Sequence, residues 1–380
     1  MKFSLFTENT PPLIGIDISS TSVKAVELSG DGRGGYKLEG YAIAPMAPDA
    51  MVDGNVADLE KVADAIRQAC KLLGTREKHT ALALPSSAVI SKKVIMEAGL
   101  REEDMEAQVE GEANQYIPFP LDEVNIDFEV LGPSPTNAEE EVEVLIVAAR
   151  KEKIEDRVAA AEVAGLKVIV MDVDSYATEA AYTLVSVQLP NAGSEQTVMI
   201  VDIGATMMHI SVLHDNKMVY AREQSFGGNQ LTQEIQRRFG LSVEEAEISK
   251  RRGGLPESYE SEVLQPFVQL LATEVARAQQ FFTSSTQYHH VDHIVLAGGS
   301  ASIPEIEVSV QDRTQVHTII ANPFHSMAMG SRVKSQQLPV DAPSLLIACG
   351  LAMRGIEILY ASIYFRIDNL EEKPGNVNLA

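Results

Sequence analysis

The chain has 380 residues, of which 45% are hydrophobic, so it is long and apolar enough for two to four domains at roughly 100–200 residues each. Its 31 basic and 54 acidic residues leave a formal net charge of −23, which argues against binding nucleic acid or an anionic membrane through a general basic surface. Two cysteines, Cys70 and Cys349, are too few for a disulfide framework and suit a reducing compartment.

The amino terminus, MKFSLFTENTPP, lacks a sustained apolar run, so no secretory signal is predicted. Residues 13–28, LIGIDISSTSVKAVEL, then predict a strand, a tight turn and a second strand. Asp17 ends the first strand, and Lys24 lies in the second. The turn consists of small hydroxyl residues: Ser19, Ser20, Thr21 and Ser22. Such a turn can wrap phosphate oxygens while the aspartate holds Mg²⁺ through water and the lysine adds a positive charge, but a plain hairpin has the same pattern.

Helices and strands alternate in the rest of the first half, apart from one interrupting segment. Apolar spacing predicts a helix over 53–73 and a strand over 80–84. Beyond the interruption, a strand over 167–173 precedes a helix over 175–187. This alternation is typical of an α/β domain.

The interrupting segment, residues 86–167, differs from the rest of the first half in its pattern of predicted strands and helices. Its strands are separated by a turn-rich loop, and an acidic helix and a second helix accompany them. Antiparallel strands paired across such a loop fit poorly into a parallel sheet. We therefore interpret the segment as an inserted α+β module; continuation of the main sheet is the alternative.

Residues 200–213, IVDIGATMMHISVL, repeat the pattern of the first hairpin half a chain later. When Asp202 is placed on Asp17, the residues Gly204, Ala205 and Thr206 fall on Ser19, Ser20 and Thr21. Self-similarity at this distance predicts a duplicated domain, with the two turns facing each other across a cleft and holding one phosphate chain.

The second half contains further segments suited to a ligand. Gly227-Gly228-Asn229 precedes a helix and leaves backbone N–H groups at its positive end, although a simple helix cap explains it equally well. A long helix over 259–288 carries Glu274 and Arg277 on one face, where a solvated ion pair is the alternative.

A buried-type strand over 291–296 runs into a sharp turn that would let backbone approach a ligand closely. That turn is formed by Gly298, Gly299 and Ser300. Three histidines near the start of this strand suit the negative end of a helix better than a metal site. They are His289, His290 and His293.

The longest apolar stretch, residues 344–365, raises the question of a membrane span. Arg354 and Glu357 fall at its middle, where a charge is costly in lipid, and Gly350 and Gly355 interrupt it. We therefore expect a buried helix and the residues that follow it, rather than a membrane span.

The order of these motifs resembles the actin-like nucleotide-binding superfamily, which includes actin, Hsp70, sugar kinases and FtsA. Asp17 and Lys24 keep the aspartate-to-lysine spacing of the superfamily's first phosphate loop. Within it, the chain resembles the PilM family of type IV pilus assembly proteins over about residues 13–354. The motifs that carry this resemblance are GIDISSTSVKAVEL, QYIPFPLDEV, VDIGAT, GGNQLTQEI, EVARAQQFF and VLAGGSASIP.

The resemblance implies an α/β protein with the duplicated actin-like, ribonuclease H-like fold and an inserted α+β module of SHS2 type. The first actin-like domain would comprise residues 11–85, 168–190 and 341–365, and the module residues 86–167. The second domain would comprise residues 191–340.

The resemblance also implies ATP and Mg²⁺ as cofactors, with Asp17 and Asp202 facing the metal. The phosphates would be held by Ser19, Ser20, Thr21, Lys24, Gly204, Ala205 and Thr206, and the nucleoside by Glu274, Arg277, Gly298, Gly299 and Ser300. Gly228, before the helix described above, is a further cofactor-binding candidate. The implied partner is the short cytoplasmic N-terminal peptide of the inner-membrane protein PilN, docked in a cleft beside the module. The resemblance further implies a location at the cytoplasmic face of the inner membrane, in contact with other pilus assembly proteins. Whether the chain forms a homo-oligomer is left open.

Three functions remain open from the sequence. The first is a nucleotide-dependent adaptor. The second is an ATPase or phosphotransferase, for which Asp172 or Asp174 could orient a water. The third is a filament-forming division protein like FtsA, although the carboxyl terminus lacks a basic amphipathic membrane helix. The second turn also departs from the first, because His209 replaces the lysine.

Overall fold

The computed structural model describes residues 12–30, 35–356 and 365–366. Two compact units divide the chain. The first comprises the chain up to Ala177, Ala328–Arg332 and the chain from Ala348 onward. The second comprises Thr178–Met327 and Val333–Ile347.

The strands in chain order are β1 Ile14–Ile18, β2 Ser22–Gly30, β3 Tyr36–Pro45, β4 Met51–Val52, β5 Asn55–Val56, β6 His79–Leu84, β7 Val89–Glu97, β8 Val124–Pro133, β9 Glu141–Arg150, β10 Lys167–Val173, β11 Thr197–Ile203, β12 Met208–His214, β13 Lys217–Gln224, β14 His293–Ala297, β15 His317–Ile320, β16 Ala328–Met329 and β17 Phe365–Arg366. The helices are α1 Leu59–Leu73, α2 Glu102–Tyr116, α3 Lys151–Val163, α4 Asp174–Ser186, α5 Asn229–Phe239, α6 Val243–Arg252, α7 Gln265–Ser285, α8 Ile306–Thr314, α9 Leu338–Asp341 and α10 Leu346–Met353.

The main sheet of the first unit has the order β16-β3-β2-β1-β6-β10-β17. β1 pairs antiparallel with β2 and parallel with β6, and β6 pairs parallel with β10. Every residue of β1 is buried, because β1 lies at the centre of this mixed sheet and packs into its hydrophobic core. At Gly15, an added Cβ would lie 2.1 Å from the carbonyl oxygen of Ala348, so α10 packs directly against β1.

The inserted module forms its own antiparallel sheet in the order β7-β9-β8. Helix α2 covers one face and contributes Met105, Val109 and Ala113 to a core with Val94 and Ile146. This arrangement follows from the alternation of buried and exposed residues along the strands, which leaves one face for a helix.

The sheet of the second unit has the order β13-β12-β11-β14-β15. Its antiparallel hairpin β11–β12 and parallel strands β14 and β15 repeat the arrangement of β1, β2, β6 and β10. The fully buried β14, together with α7, forms the core of this unit. The duplication predicted from the two Asp-containing hairpins is therefore present in the strand order.

The predicted helix over 53–73 is wrong at its start, because α1 begins at Leu59. Asp58 caps the helix by accepting a hydrogen bond from the backbone N–H of Lys61, and Gly74 ends it in the left-handed conformation. The residues before the cap instead form the small hairpin of β4 and β5. Its turn is Asp53-Gly54, a dipeptide that favours the positive φ values of such turns.

The boundary between the units falls inside α4, whereas the predicted first domain included residues 168–190. The carboxylate of Glu179 accepts a hydrogen bond from the backbone N–H of Met218 in β13, and Gln188 donates one to the carbonyl of Asn322. These contacts attach the end of α4 to the second unit.

None of the described helices is long and apolar enough to cross a membrane. The apolar stretch over 344–365 contains α10, whereas residues 357–364 lie outside the described part of the chain.

Candidate functional site

The tight turn of the first hairpin, formed by small residues, brings Asp17 and Lys24 into contact. Asp17 and Lys24 are direct cross-strand partners, and the Lys24 Nζ lies 2.7 Å from the Asp17 Oδ2. The backbone N–H of Ser19 donates to the carbonyl of Ser22 at 3.0 Å, and the Ser19 hydroxyl donates to the same carbonyl at 2.9 Å. The turn therefore positions an aspartate, an ammonium group and several hydroxyl groups together.

The second hairpin reproduces this geometry. Asp202 is the cross-strand partner of His209, as Asp17 is of Lys24. The backbone N–H of Gly204 donates to the carbonyl of Met207 at 2.9 Å, the bond equivalent to Ser19–Ser22. His209 lies beside Glu223, with 3.7 Å between its Nδ1 and the nearer carboxylate oxygen. The second turn therefore has the same hydrogen bond and cross-strand pairing as the first, with an imidazole in the place of the lysine.

Two other glycine-containing segments meet the second turn. The backbone N–H of Gly228 donates to the carbonyl of Gly204 at 3.0 Å, and that of Asn229 donates to Ala205 at 2.8 Å. The hydroxyl of Ser300 donates to Gly204 at 3.3 Å. The structure therefore brings together residues from three separate segments that the sequence predicts for one nucleotide site.

Gly298 belongs to the same group because it approaches Asp202. Its φ is +87° and ψ is 170°, a conformation that only glycine adopts readily. An added Cβ would lie 2.5 Å from the Asp202 Oδ1. Asp17 in the first unit and Asp202 in the second each present a carboxylate at the end of a strand. Carboxylate oxygens are hard donors of the kind that Mg²⁺ prefers, so each turn by itself fits such an ion.

Two residues that the sequence reasoning missed lie beside this group. The Lys250 Nζ donates to the Thr232 hydroxyl at 2.7 Å and lies 3.4 Å from the carbonyl of Gly228. It also lies 2.5 Å from the Glu247 carboxylate, which accepts a hydrogen bond from Thr232. Burial lowers the pKa of Lys250, although Glu247 opposes the shift. A Glu-x-x-Lys pair is common on exposed helices, so its sequence signal is weak.

Glu274 and Arg277, predicted for the nucleoside, form an ion pair on α7. Glu274 is buried and also accepts a hydrogen bond from the side chain of Gln224 at 2.6 Å. Gln224 is the cross-strand partner of Met208, just beyond the second turn. Through Gln224 of β13, the ion pair of Glu274 and Arg277 is therefore connected to β12, the strand that follows the second turn.

The two candidate catalytic aspartates have different surroundings. Asp172 is fully buried, and its Oδ2 accepts a hydrogen bond from the Arg354 Nε at 2.8 Å. Burial raises the pKa of Asp172, and Arg354 opposes that rise. A carboxylate without exposed surface is poorly placed to orient a water. Asp174 accepts hydrogen bonds from the backbone N–H of Ser86, at 3.0 Å, and from its hydroxyl.

The first unit also contains a cleft of about 360 Å³ at one end of the module's sheet. Its apolar lining includes Ile90, Ile117, Phe119 and Val124. Its polar and charged lining consists of Asp53, Asn55, Ser87, Arg150 and Lys153, and the remaining lining residues are Pro85, Ala88, Ala148 and Ala149. The Arg150 guanidinium lies over the Phe119 ring, 5.2 Å from its centre. Its Nε is buried and has no hydrogen-bond partner among the described residues. The cleft therefore offers an apolar surface beside an unpaired donor.

The comparisons with known proteins bear on both features. The family model described as "Type IV pilus assembly protein PilM" matches residues 15–356. The chain is 28% identical to the solved structure described as "PilM-PilN type IV pilus biogenesis complex", with a TM-score of 0.76 over 92% of this chain and 99% of that chain.

More distant structures share the fold. The ethanolamine utilization protein EutJ from Carboxydothermus hydrogenoformans is 15% identical, with a TM-score of 0.51 over 91% of this chain and 92% of that chain. A diol dehydratase-reactivating factor in nucleotide-free form is 10% identical, with a TM-score of 0.51 over 90% of this chain and 99% of that chain. The predicted actin-like fold is confirmed.

Proposed function

The chain belongs to the PilM family of type IV pilus assembly proteins, and from that premise we propose that it is a nucleotide-dependent adaptor. In this proposal a magnesium nucleotide binds through the turns of Asp17 and Asp202, and the cleft of the first unit binds the N-terminal cytoplasmic peptide of PilN. The protein would act at the cytoplasmic face of the inner membrane, through partners rather than through a span of its own.

The two matched turns support the nucleotide part of the proposal. Each presents an aspartate at a strand end, small residues in the turn and a nitrogen-bearing side chain seven residues after the aspartate, Lys24 in the first turn and His209 in the second. The phosphates would contact the hydroxyl groups and backbone N–H groups of the turns, and Mg²⁺ would neutralise phosphate charge beside the aspartates. Lys250 and Glu247, beside Gly228, are candidates for the ribose or base, together with the predicted Glu274 and Arg277.

The cleft carries the peptide part of the proposal. Its volume of about 360 Å³ lies within the roughly 300–1,000 Å³ range of ligand pockets. Ile117 and Phe119 offer apolar contacts for alternate side chains of an extended peptide. The guanidinium of Arg150, which lines the cleft and pairs with Glu152, would add a positive charge beside the peptide. The solved PilM–PilN complex, at 28% identity, supports PilN as the source of that peptide.

Calorimetric titration of the full chain with a synthetic PilN N-terminal peptide tests the proposal. We expect saturable binding whose dissociation constant differs with and without Mg-ATP. Replacing Phe119 with alanine should weaken the peptide about tenfold, since it removes a partly exposed aromatic contact without opening the core. ATP affinity should stay unchanged.

Tyr116→Ala is the matched control. Tyr116 is an aromatic residue near Phe119 and is exposed to a similar degree. It is not among the residues that line the cleft, and the ammonium of Lys92 lies over its ring. Its removal should leave the peptide affinity unchanged. Equal weakening by both variants, or tight ATP binding with no peptide binding, would contradict the adaptor function.

A further inference from the structure

Two histidines lie side by side at one edge of the second unit's sheet. His293 begins β14 and His317 begins β15, and the two residues are direct partners in the register of these parallel strands. Because side chains alternate between the faces of a sheet, direct partners project from the same face. In the sequence, His293 lies near His289 and His290. The strand pairing brings it instead to a histidine from a distant segment.

The spacing of the two rings suits a shared metal ion. Their centres are 5.4 Å apart, and their planes are inclined by 88°. Two imidazoles on one tetrahedral ion, with metal–nitrogen bonds of about 2.0–2.1 Å, have ring centres roughly 5 Å apart. An edge-to-face ring contact without an ion has a similar spacing, so the distance permits an ion without requiring one.

The hydrogen bonding of His293 favours a ligand. The residue is 8% exposed, its Nδ1 is buried, and no described residue is a hydrogen-bond partner of that nitrogen. A buried polar atom without a partner is costly. Burial, with His317 nearby, lowers the pKa of His293, although Asp292 opposes the shift. The ring is therefore neutral near pH 7, which is the form that binds a metal.

His317 offers an entry path to this position. It is exposed, and β15 is the outermost strand on this side of the five-stranded sheet. An ion can therefore reach the pair from solvent without opening the core.

We propose that His293 and His317 form a binding site for a divalent transition-metal ion, with water in the remaining coordination positions. Imidazole nitrogen suits Zn²⁺, Ni²⁺ and Cu²⁺, whereas Mg²⁺ prefers oxygen, so this site differs in chemistry from the turns of Asp17 and Asp202. A bound ion would join the edge strand β15 to β14 and so stabilise this edge of the sheet. The proposal does not depend on nucleotide or peptide binding.

Calorimetric titration of the full-length protein with Zn²⁺, after removal of metal by a chelator and dialysis, tests the site. We expect saturable binding, and zinc should raise the midpoint of thermal unfolding because it binds the folded state. His317→Gln removes one ligand at an exposed position, so it should fold normally and weaken this zinc binding about tenfold or more. Unchanged zinc affinity in His317→Gln would overturn the proposal.

His289→Gln is the matched control. His289 is an exposed histidine just before β14, and it does not pair with β15. Its replacement should leave both the zinc affinity and the thermal shift as in the wild type. Equal weakening by the two variants would assign the zinc to scattered surface histidines and overturn a specific pair.

Nuclear magnetic resonance of the histidine ring nitrogens provides an independent readout. Zinc should shift the signals of two histidines together, and these signals should be the ones absent from His293→Phe and His317→Gln. If zinc leaves both signals in place, the two rings form an edge-to-face contact only, and the metal site is refuted.

Discussion

Gly298→Ala tests how closely the turn after β14 approaches Asp202. The φ of +87° and ψ of 170° at Gly298 cost an alanine about 1–3 kcal/mol. The new Cβ would also lie 2.5 Å from the Asp202 Oδ1 and 2.6 Å from the backbone nitrogen of Ile203, and such overpacking costs about 1–3 kcal/mol more. We therefore expect a loss of about 2–6 kcal/mol in the free energy of unfolding.

The same substitution should displace Asp202 and weaken Mg-ATP binding about tenfold or more, because a binding group must stay within about 0.5 Å of its productive position. Urea denaturation measures the stability, and a fluorescence titration with Mg-ATP measures the affinity. Gly299→Ala is the matched control: its Cβ would meet no atom within 4 Å, so its effect should stay within about 0.5 kcal/mol. Equal stability of the two variants in urea denaturation would refute the packing argument.

Two further predictions concern buried titratable groups. Arg354→Met should destabilise the protein by about 3–5 kcal/mol in urea denaturation, because it leaves the Asp172 carboxylate buried and unpaired. The double variant Asp172→Leu/Arg354→Met should recover most of that loss; a double variant as unstable as the single one would contradict this reasoning. Burial, with His317 nearby, lowers the pKa of His293 in the folded state, so its contribution to stability is present above the unfolded pKa of about 6.5 and is lost as the pH falls below it. His293→Phe should therefore lose less stability than the wild type between pH 7 and pH 5, and identical pH profiles in urea denaturation would contradict it.

The duplicated hairpins could be predicted because their information is local. The apolar alternation, the strand-end Asp17 and Asp202 and the small residues that follow determine both strands and turn within a few residues of chain. The strand order of the two units agrees with that prediction. The Asp53-Gly54 dipeptide is an equally local signal for a hairpin turn. The predicted helix over 53–73 rested instead on the helical spacing of the apolar residues that follow this dipeptide.

Other features depend on residues distant in the chain. Lys250 reaches Gly228 because α5 and α6 pack together, and the cleft exists because the module's sheet ends beside the β4–β5 hairpin. The contact of Arg157 with Gly54 joins residues about a hundred positions apart. Sequence alone determined the two hairpin turns that follow Asp17 and Asp202, since short-range propensity and spacing specify them. Only the tertiary structure decided the cleft and the buried arginine, because packing sets which distant side chains meet and how far each is removed from water.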